Sequence, residues 1–197
     1  MKLSRNKFRW SIVSFAVSAF FLFGLNGCKI ASIRLVIHSS DPYVQLGTIK
    51  IKHHAPEVIT VMVIRHAERA NDSLTPEGEK RAETLARLLR DQELSAIFST
   101  KTNRTIETVN NTADRLGLSI QFYNSPSDVA NLIKSEYVGK VVLVVGHSPT
   151  VPQIIHALGV SPVPSIGEEF NNLFFVTIRN DGVATLTHLK YDIHQDL

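Results

Sequence analysis

The sequence predicts a three-layer α/β sandwich with a mostly parallel central sheet and an antiparallel hairpin at its edge. Two continuous apolar runs rich in β-branched residues, VITVMVI at 58–64 and KVVLVV at 140–145, suit strands buried on both faces. Helix-period apolar stripes alternate with these and with shorter strand-like runs, the pattern of a parallel sheet covered by helices. Near the end, two runs at 173–178 and 183–189 flank Asn180-Asp181-Gly182, a hairpin turn signal.

The elements follow in order. After the first strand, Thr75 can cap a helix that opens with Pro76, where a missing N–H is harmless. Ala82, Leu85, Ala86 and Leu89 give that helix one apolar face. SAIFS at 95–99 reads as a strand. A second helix starts near Thr102, buries Ile106, Val109, Ala113 and Leu116, and ends at Gly117. A strand over 118–122, a helix over 126–136 and the strand over 140–145 come next. Ser148-Pro149 starts a further helix with Val151, Ile154, Ile155 and Leu158 on one face.

Three segments divide the chain. Residues 1–9 are basic and residues 10–25 carry no charge, the n-region and h-region pattern of a secretory signal. The apolar run is shorter than the ~20 residues needed to cross a bilayer as a helix. Leu25-Asn26-Gly27-Cys28 follows and resembles the bacterial lipobox, whose cysteine is lipidated and becomes the new N-terminus. The expectation is a lipoprotein signal over 1–27, a tether over 28–57 with room for one strand among the apolar patches Ile33, Leu35, Val36 and Ile37, and one folded domain over 58–197. Lipidation at Cys28 would hold the domain on a membrane, facing the periplasm or exterior. His38, His53 and His54 read as solvated tether residues, since nothing supplies the rigid frame of a metal site.

The net charge of +3 comes from the leader: Lys2, Arg5, Lys7 and Arg9 account for four positive charges, and +3 less four leaves −1. A near-neutral domain without a basic, aromatic-interleaved stripe gives no support to nucleic-acid binding. Cys28 is the single cysteine, so no internal disulfide exists and the fold stands on its core.

Arg65 and His66 follow the first buried strand, and Gly146-His147 follows the other. Strand carboxyl ends are where open α/β sheets bind ligands. Arg104 falls in the first turn of the second helix, where free N–H groups and the helix dipole attract anions. Two guanidinium forks and two imidazoles around one pocket suit a phosphoryl group. Taken singly, each could be a surface arginine or a core histidine; four at converging positions point to function. His156, near the apolar face of its helix, reads as structural, and His188 in the terminal hairpin is assigned no role.

Arg65-His66-Ala67-Glu68 resembles the Arg-His-Gly signature of the histidine phosphatase superfamily, which includes the cofactor-dependent phosphoglycerate mutases. Leu74-Thr75-Pro76-Glu77-Gly78, Ile97-Phe98-Ser99-Thr100 with Arg104, and Val145-Gly146-His147-Ser148 resemble the segments that follow it. The resemblance implies that His66 attacks phosphorus to form a phosphohistidine. It implies that Arg65 and Arg104 clamp the phosphate oxygens, that His147 stabilises the transition state, and that neither metal nor cofactor is needed. It departs at Ala67, where glycine is usual, and in the general acid, for which Glu68 and Asp128 are the candidates. The implied activity is hydrolysis of a small phosphomonoester or phosphoramidate outside the cytoplasm. A mutase fits less well, for lack of a long insertion to enclose a sugar phosphate. A lipoprotein that binds a phosphorylated ligand in the same pocket without turnover is the other class of function.

Overall fold

The computed structural model describes residues 58–193, together with the backbone of two short strands before them. Those two, β1 (Ile33–Arg34) and β2 (Lys50–Ile51), pair antiparallel within the segment expected to be a tether. The expected signal, Cys28, His38, His53 and His54 lie outside the described residues.

The domain then runs β3 (Ile59–Arg65), β4 (Arg69–Ala70), β5 (Ser73–Leu74), α1 (Pro76–Leu89), β6 (Leu94–Ser99), α2 (Asn103–Leu116), β7 (Ile120–Phe122), α3 (Pro126–Glu136), β8 (Val141–Gly146), α4 (Thr150–Ala157), β9 (Asn172–Ile178) and β10 (Ala184–Lys190). Six strands form one sheet in the order β10-β9-β3-β8-β6-β7. β3, β8, β6 and β7 are parallel, while β9 runs antiparallel to β3 and pairs with β10 in the expected hairpin.

β3 and β8 lie side by side at the centre, and every residue of both is buried. This is why their sequences are continuously apolar rather than alternating. The pleat sends alternate residues to opposite faces. Val61, Val63, Val142 and Val144 pack with Val129 and Ile133 of α3 and Ile154 and Ile155 of α4. Met62, Ile64, Leu143 and Val145 pack with Leu85 and Leu89 of α1 and Val109 and Ala113 of α2. Two helices on each face make the three-layer sandwich.

Helix ends follow the local chemistry. Thr75 caps α1, its Oγ1 accepting from Gly78 N at 3.2 Å, with Pro76 in the first turn. Ser125 caps α3 in the same way, accepting from Asp128 N at 3.1 Å. α2 ends at Gly117, whose N–H returns to the carbonyls of Ala113 and Asp114. Within the domain, the small β4–β5 hairpin lacked a sequence expectation, and its turn residue Asn71 has φ 57°.

Candidate active site

The register of β3 against β8 builds the site. Arg65 pairs with Gly146, so the residues after each strand, His66 and His147, emerge beside one another at the carboxyl edge of the sheet. His66 N donates to Gly146 O at 2.9 Å, extending the ladder by one rung. The two imidazole centroids are 5.5 Å apart, with ring planes at 60°. Gly146 has no room for a side chain: a Cβ there would stand 2.8 Å from Thr150 Oγ1 and 3.1 Å from Tyr123 Oη. Those atoms are occupied in setting the strand exit, Thr150 Oγ1 accepting from His147 N at 2.8 Å and Tyr123 Oη donating to Val145 O at 2.9 Å.

His66 is 3% exposed. Its Nδ1 lies 2.8 Å from Ala67 O. A carbonyl oxygen only accepts, so Nδ1 holds the ring hydrogen and Nε2 keeps a lone pair. Burial, and then the nearby cations Arg65 and Arg104 with His147, push the His66 pKa down to about 4, against the opposing pull of the Ala67 carbonyl bond. The ring is therefore neutral at neutral pH, the state a histidine nucleophile requires. Ala67 is itself fixed, its N–H donating to Thr108 Oγ1 at 2.9 Å, while that hydroxyl donates to Arg104 O at 2.6 Å.

His147 is half-buried between two partners. Arg104 Nη2 donates to its Nδ1 at 3.3 Å, which leaves Nε2 as the N–H that reaches Thr100 Oγ1 at 3.0 Å. Its pKa is lowered by burial and then by Arg104 and Arg69, with Asp72 opposing. Arg104 also pairs with Asp72, and Asp72 accepts from Asn103 N at 3.2 Å, so the β4–β5 hairpin is docked on the first turn of α2. Leu74 N completes that contact by donating to Glu107 at 2.7 Å.

Arg65 is turned towards the loop between α4 and β9. Its Nη1 donates to Glu168 O at 2.8 Å and Gly167 O at 3.4 Å, and its guanidinium carbon lies 4.0 Å over the Phe170 ring. The same ring is 5.8 Å from that of His66. The Nε atoms of Arg65 and Arg104 have no acceptor among the described residues. Unsatisfied guanidinium N–H groups are costly, and an oxyanion is the ligand that matches them.

Of the residues expected from the sequence, the structure gathers His66, His147, Arg104 and Arg65 at one strand edge. Neither candidate acid is hydrogen-bonded to these four among the described residues. Glu68 is gripped by Arg81, whose Nε donates to both carboxylate oxygens at 2.9 and 2.8 Å and whose Nη2 donates at 2.6 Å. Asp128 is exposed in the first turn of α3, and none of its described bonds runs to the four residues. His156, expected near the apolar face of its helix, is exposed instead. His188 stacks on Phe174 at 4.4 Å and bonds Asn172 Oδ1 at 2.8 Å. Sequence reasoning missed Asp72, Thr100, Thr108 and Phe170. Two of them left a signal: Thr100 closes the segment Ile97-Phe98-Ser99-Thr100, and Thr108 is a threonine one helical turn after Arg104, facing inward.

Comparison with known proteins finds the same fold. Residues 61–125 match the family model described as the histidine phosphatase superfamily (branch 1), a stretch that includes Arg65, His66 and Arg104. No curated protein matches the chain. Among solved structures, the protein histidine phosphatase SixA complexed with tungstate is similar, with a TM-score of 0.56 and 22% identity over 66% of this chain and 96% of that one. The mycobacterial glucosyl-3-phosphoglycerate phosphatase gives a TM-score of 0.58 at 14% identity, covering 68% of this chain and 100% of that one. Phosphoglycerate mutase from Plasmodium falciparum gives 0.54 at 14% identity, covering 72% and 98%. At these identities the likeness is one of fold, a fold on which both phosphatases and a mutase are built.

Proposed function

We propose that this chain works as a histidine phosphatase, hydrolysing a small phosphomonoester or phosphoramidate through a phosphohistidine on His66. The observation that carries the reading is the state of the His66 ring: neutral, with its Nδ1 hydrogen spent on Ala67 O, and so with a nucleophilic lone pair on Nε2.

In the proposed reaction, His66 Nε2 attacks phosphorus. The bond to the leaving oxygen or nitrogen breaks, and its electron pair departs with the leaving group, which takes a proton from solvent. Arg65 and Arg104 hold the oxygens of the transferring phosphoryl group. His147, beside the proposed nucleophile, donates its Nε2–H to the same oxygens in place of Thr100 Oγ1. Such preorganised donors are the main catalytic resource in phosphoryl transfer. Water then attacks the phosphohistidine, the P–N bond breaks with its electrons returning to Nε2, and the water proton leaves to solvent. With Glu68 engaged by Arg81 and Asp128 bonded to none of the four residues, the reading favours leaving groups that depart readily without a protein acid, phosphoramidates among them.

Placement at the membrane through a lipidated Cys28, facing away from the cytoplasm, belongs to the same proposal and rests on the sequence pattern alone. Replacing Cys28 with Ser should release the protein from the membrane fraction.

The test is steady-state hydrolysis of a chromogenic phosphate by the wild type and His66→Ala, beside direct measurement of phosphate binding. Turnover that disappears in the variant supports the enzyme. Phosphate binding with no turnover across a panel of phosphorylated compounds would replace it with the non-catalytic binding protein.

A further inference from the structure

The peptide unit between Ala67 and Glu68 contains the carbonyl that holds the His66 Nδ1 hydrogen. Whatever fixes that peptide plane also fixes which nitrogen of the nucleophile is free. Its two ends are held by different means. On the Ala67 side, the N–H is bonded to Thr108. On the Glu68 side, three contacts converge. Glu68 O accepts from Thr75 N at 3.0 Å. Gly78 lies against that same oxygen so closely that a Cβ on it would come within 2.1 Å. The Glu68 carboxylate is chelated by Arg81 through both Nε and Nη2.

Arg81 is 7% exposed, and its remaining Nη1 donates to Tyr191 O at 3.1 Å. One guanidinium thus joins the nucleophile loop, α1 and the chain leaving β10. A charge is rarely placed this deep for stability, since well-packed apolar residues do as well. A rigid bidentate fork is, by contrast, a precise way to fix a carboxylate and the backbone that bears it.

We infer that Arg81, acting through Glu68, is a positioning residue that orients the Ala67–Glu68 peptide and thereby holds His66 in the tautomer with Nε2 free. The inference assigns Glu68 a structural hold on the nucleophile in place of proton donation. It deepens the phosphatase reading, yet its direct test does not require activity.

The test reads the His66 ring nitrogens by ¹⁵N NMR in the unliganded protein, in wild type, Glu68→Gln, Arg81→Lys and the double variant Glu68→Leu/Arg81→Met. The double variant leaves no buried charge unpaired, so it separates positioning from folding. In the wild type, Nε2 should give the unprotonated signal and Nδ1 the protonated one. In the variants both signals should move towards the average of exchanging tautomers. Where turnover is measurable, kcat should fall about ten- to a hundred-fold, as expected for a misplaced reacting group. KM and phosphate binding should hold near wild type, because Arg104 and His147 are untouched. A folded double variant with the wild-type ring signals would overturn the inference, whatever its activity. A wild type that never turns over would instead count against the phosphatase reading and leave the ring measurement standing.

Discussion

His66 and His147 are neighbours because the parallel register of β3 on β8 sets Arg65 opposite Gly146, which leaves their rings 5.5 Å apart at the strand ends. Eighty-one positions separate them in sequence, so the pairing of two buried strands creates the site. Substituting His147 with Ala should leave the protein folded and His66 in place. It should lower kcat about 10²- to 10³-fold, the usual loss for one donor to a developing oxyanion. Rapid-mixing kinetics with a chromogenic phosphate would show it as slowed burst formation. A burst at the wild-type rate would remove His147 from the phosphoryl-transfer step.

The depressed His66 pKa has a defined sign. Protonation would remove the lone pair on which the proposed role of His66 depends, and the ring protonates near pH 4 rather than near 6.5. The acid limb of kcat/KM, which reports the free enzyme, should fall close to pH 4. The same shift acts on stability. Between the unfolded value of about 6.5 and about 4 in the fold, the unfolded chain binds the extra proton. His66 therefore weakens the fold progressively as pH drops through that window, with no further loss below it. His66→Gln should flatten this part of the stability profile in urea titrations, and an unchanged profile would contradict the assignment.

Thr108 serves two backbone groups with one hydroxyl, accepting from Ala67 N and donating to Arg104 O. Thr108→Val keeps the shape and strands the buried Ala67 N–H. The expected cost is about 1–3 kcal/mol, visible as a lowered midpoint in urea with an unchanged slope. An unshifted midpoint would mean that the N–H finds another acceptor.

Asp72 neutralises Arg104 from the β4–β5 hairpin and so competes with any bound oxyanion. Half of its side chain is exposed, which places the pair among weak surface ion pairs. Asp72→Asn should tighten tungstate or phosphate binding roughly two- to five-fold, the equivalent of such a pair. Calorimetry at low and high salt would show the gain shrinking as salt rises. Weaker binding in the variant would mean that Asp72 helps to hold the anion.

Much of this arrangement could be read before any coordinates. Continuous apolar runs marked β3 and β8 as central strands, and central parallel strands deliver whatever follows them to the ligand-binding edge. Arg65, His66 and His147 were therefore visible from position alone, and Arg104 from its place at a helix start. The β4–β5 hairpin was not visible, because two-residue strands have no period to detect and its turn depends on one residue, Asn71, at positive φ. Phe170 was hidden for a related reason, since an irregular loop gives no clue to what it folds over. Arg81 is the instructive case. It sits four residues before Leu85 on the buried stripe of α1, a charge on an apolar face. That position alone calls for a buried partner, and the partner is Glu68, the second residue after His66.

The central claim is a covalent bond between phosphorus and one imidazole nitrogen. The most direct measurement is to quench the enzyme in alkali milliseconds after mixing with substrate, digest it, and locate the phosphoryl group by mass spectrometry. The account predicts an acid-labile phosphoryl group on Nε2 of His66, absent from His66→Ala. Substrate turnover with no phosphorylated His66 at any time point would contradict it.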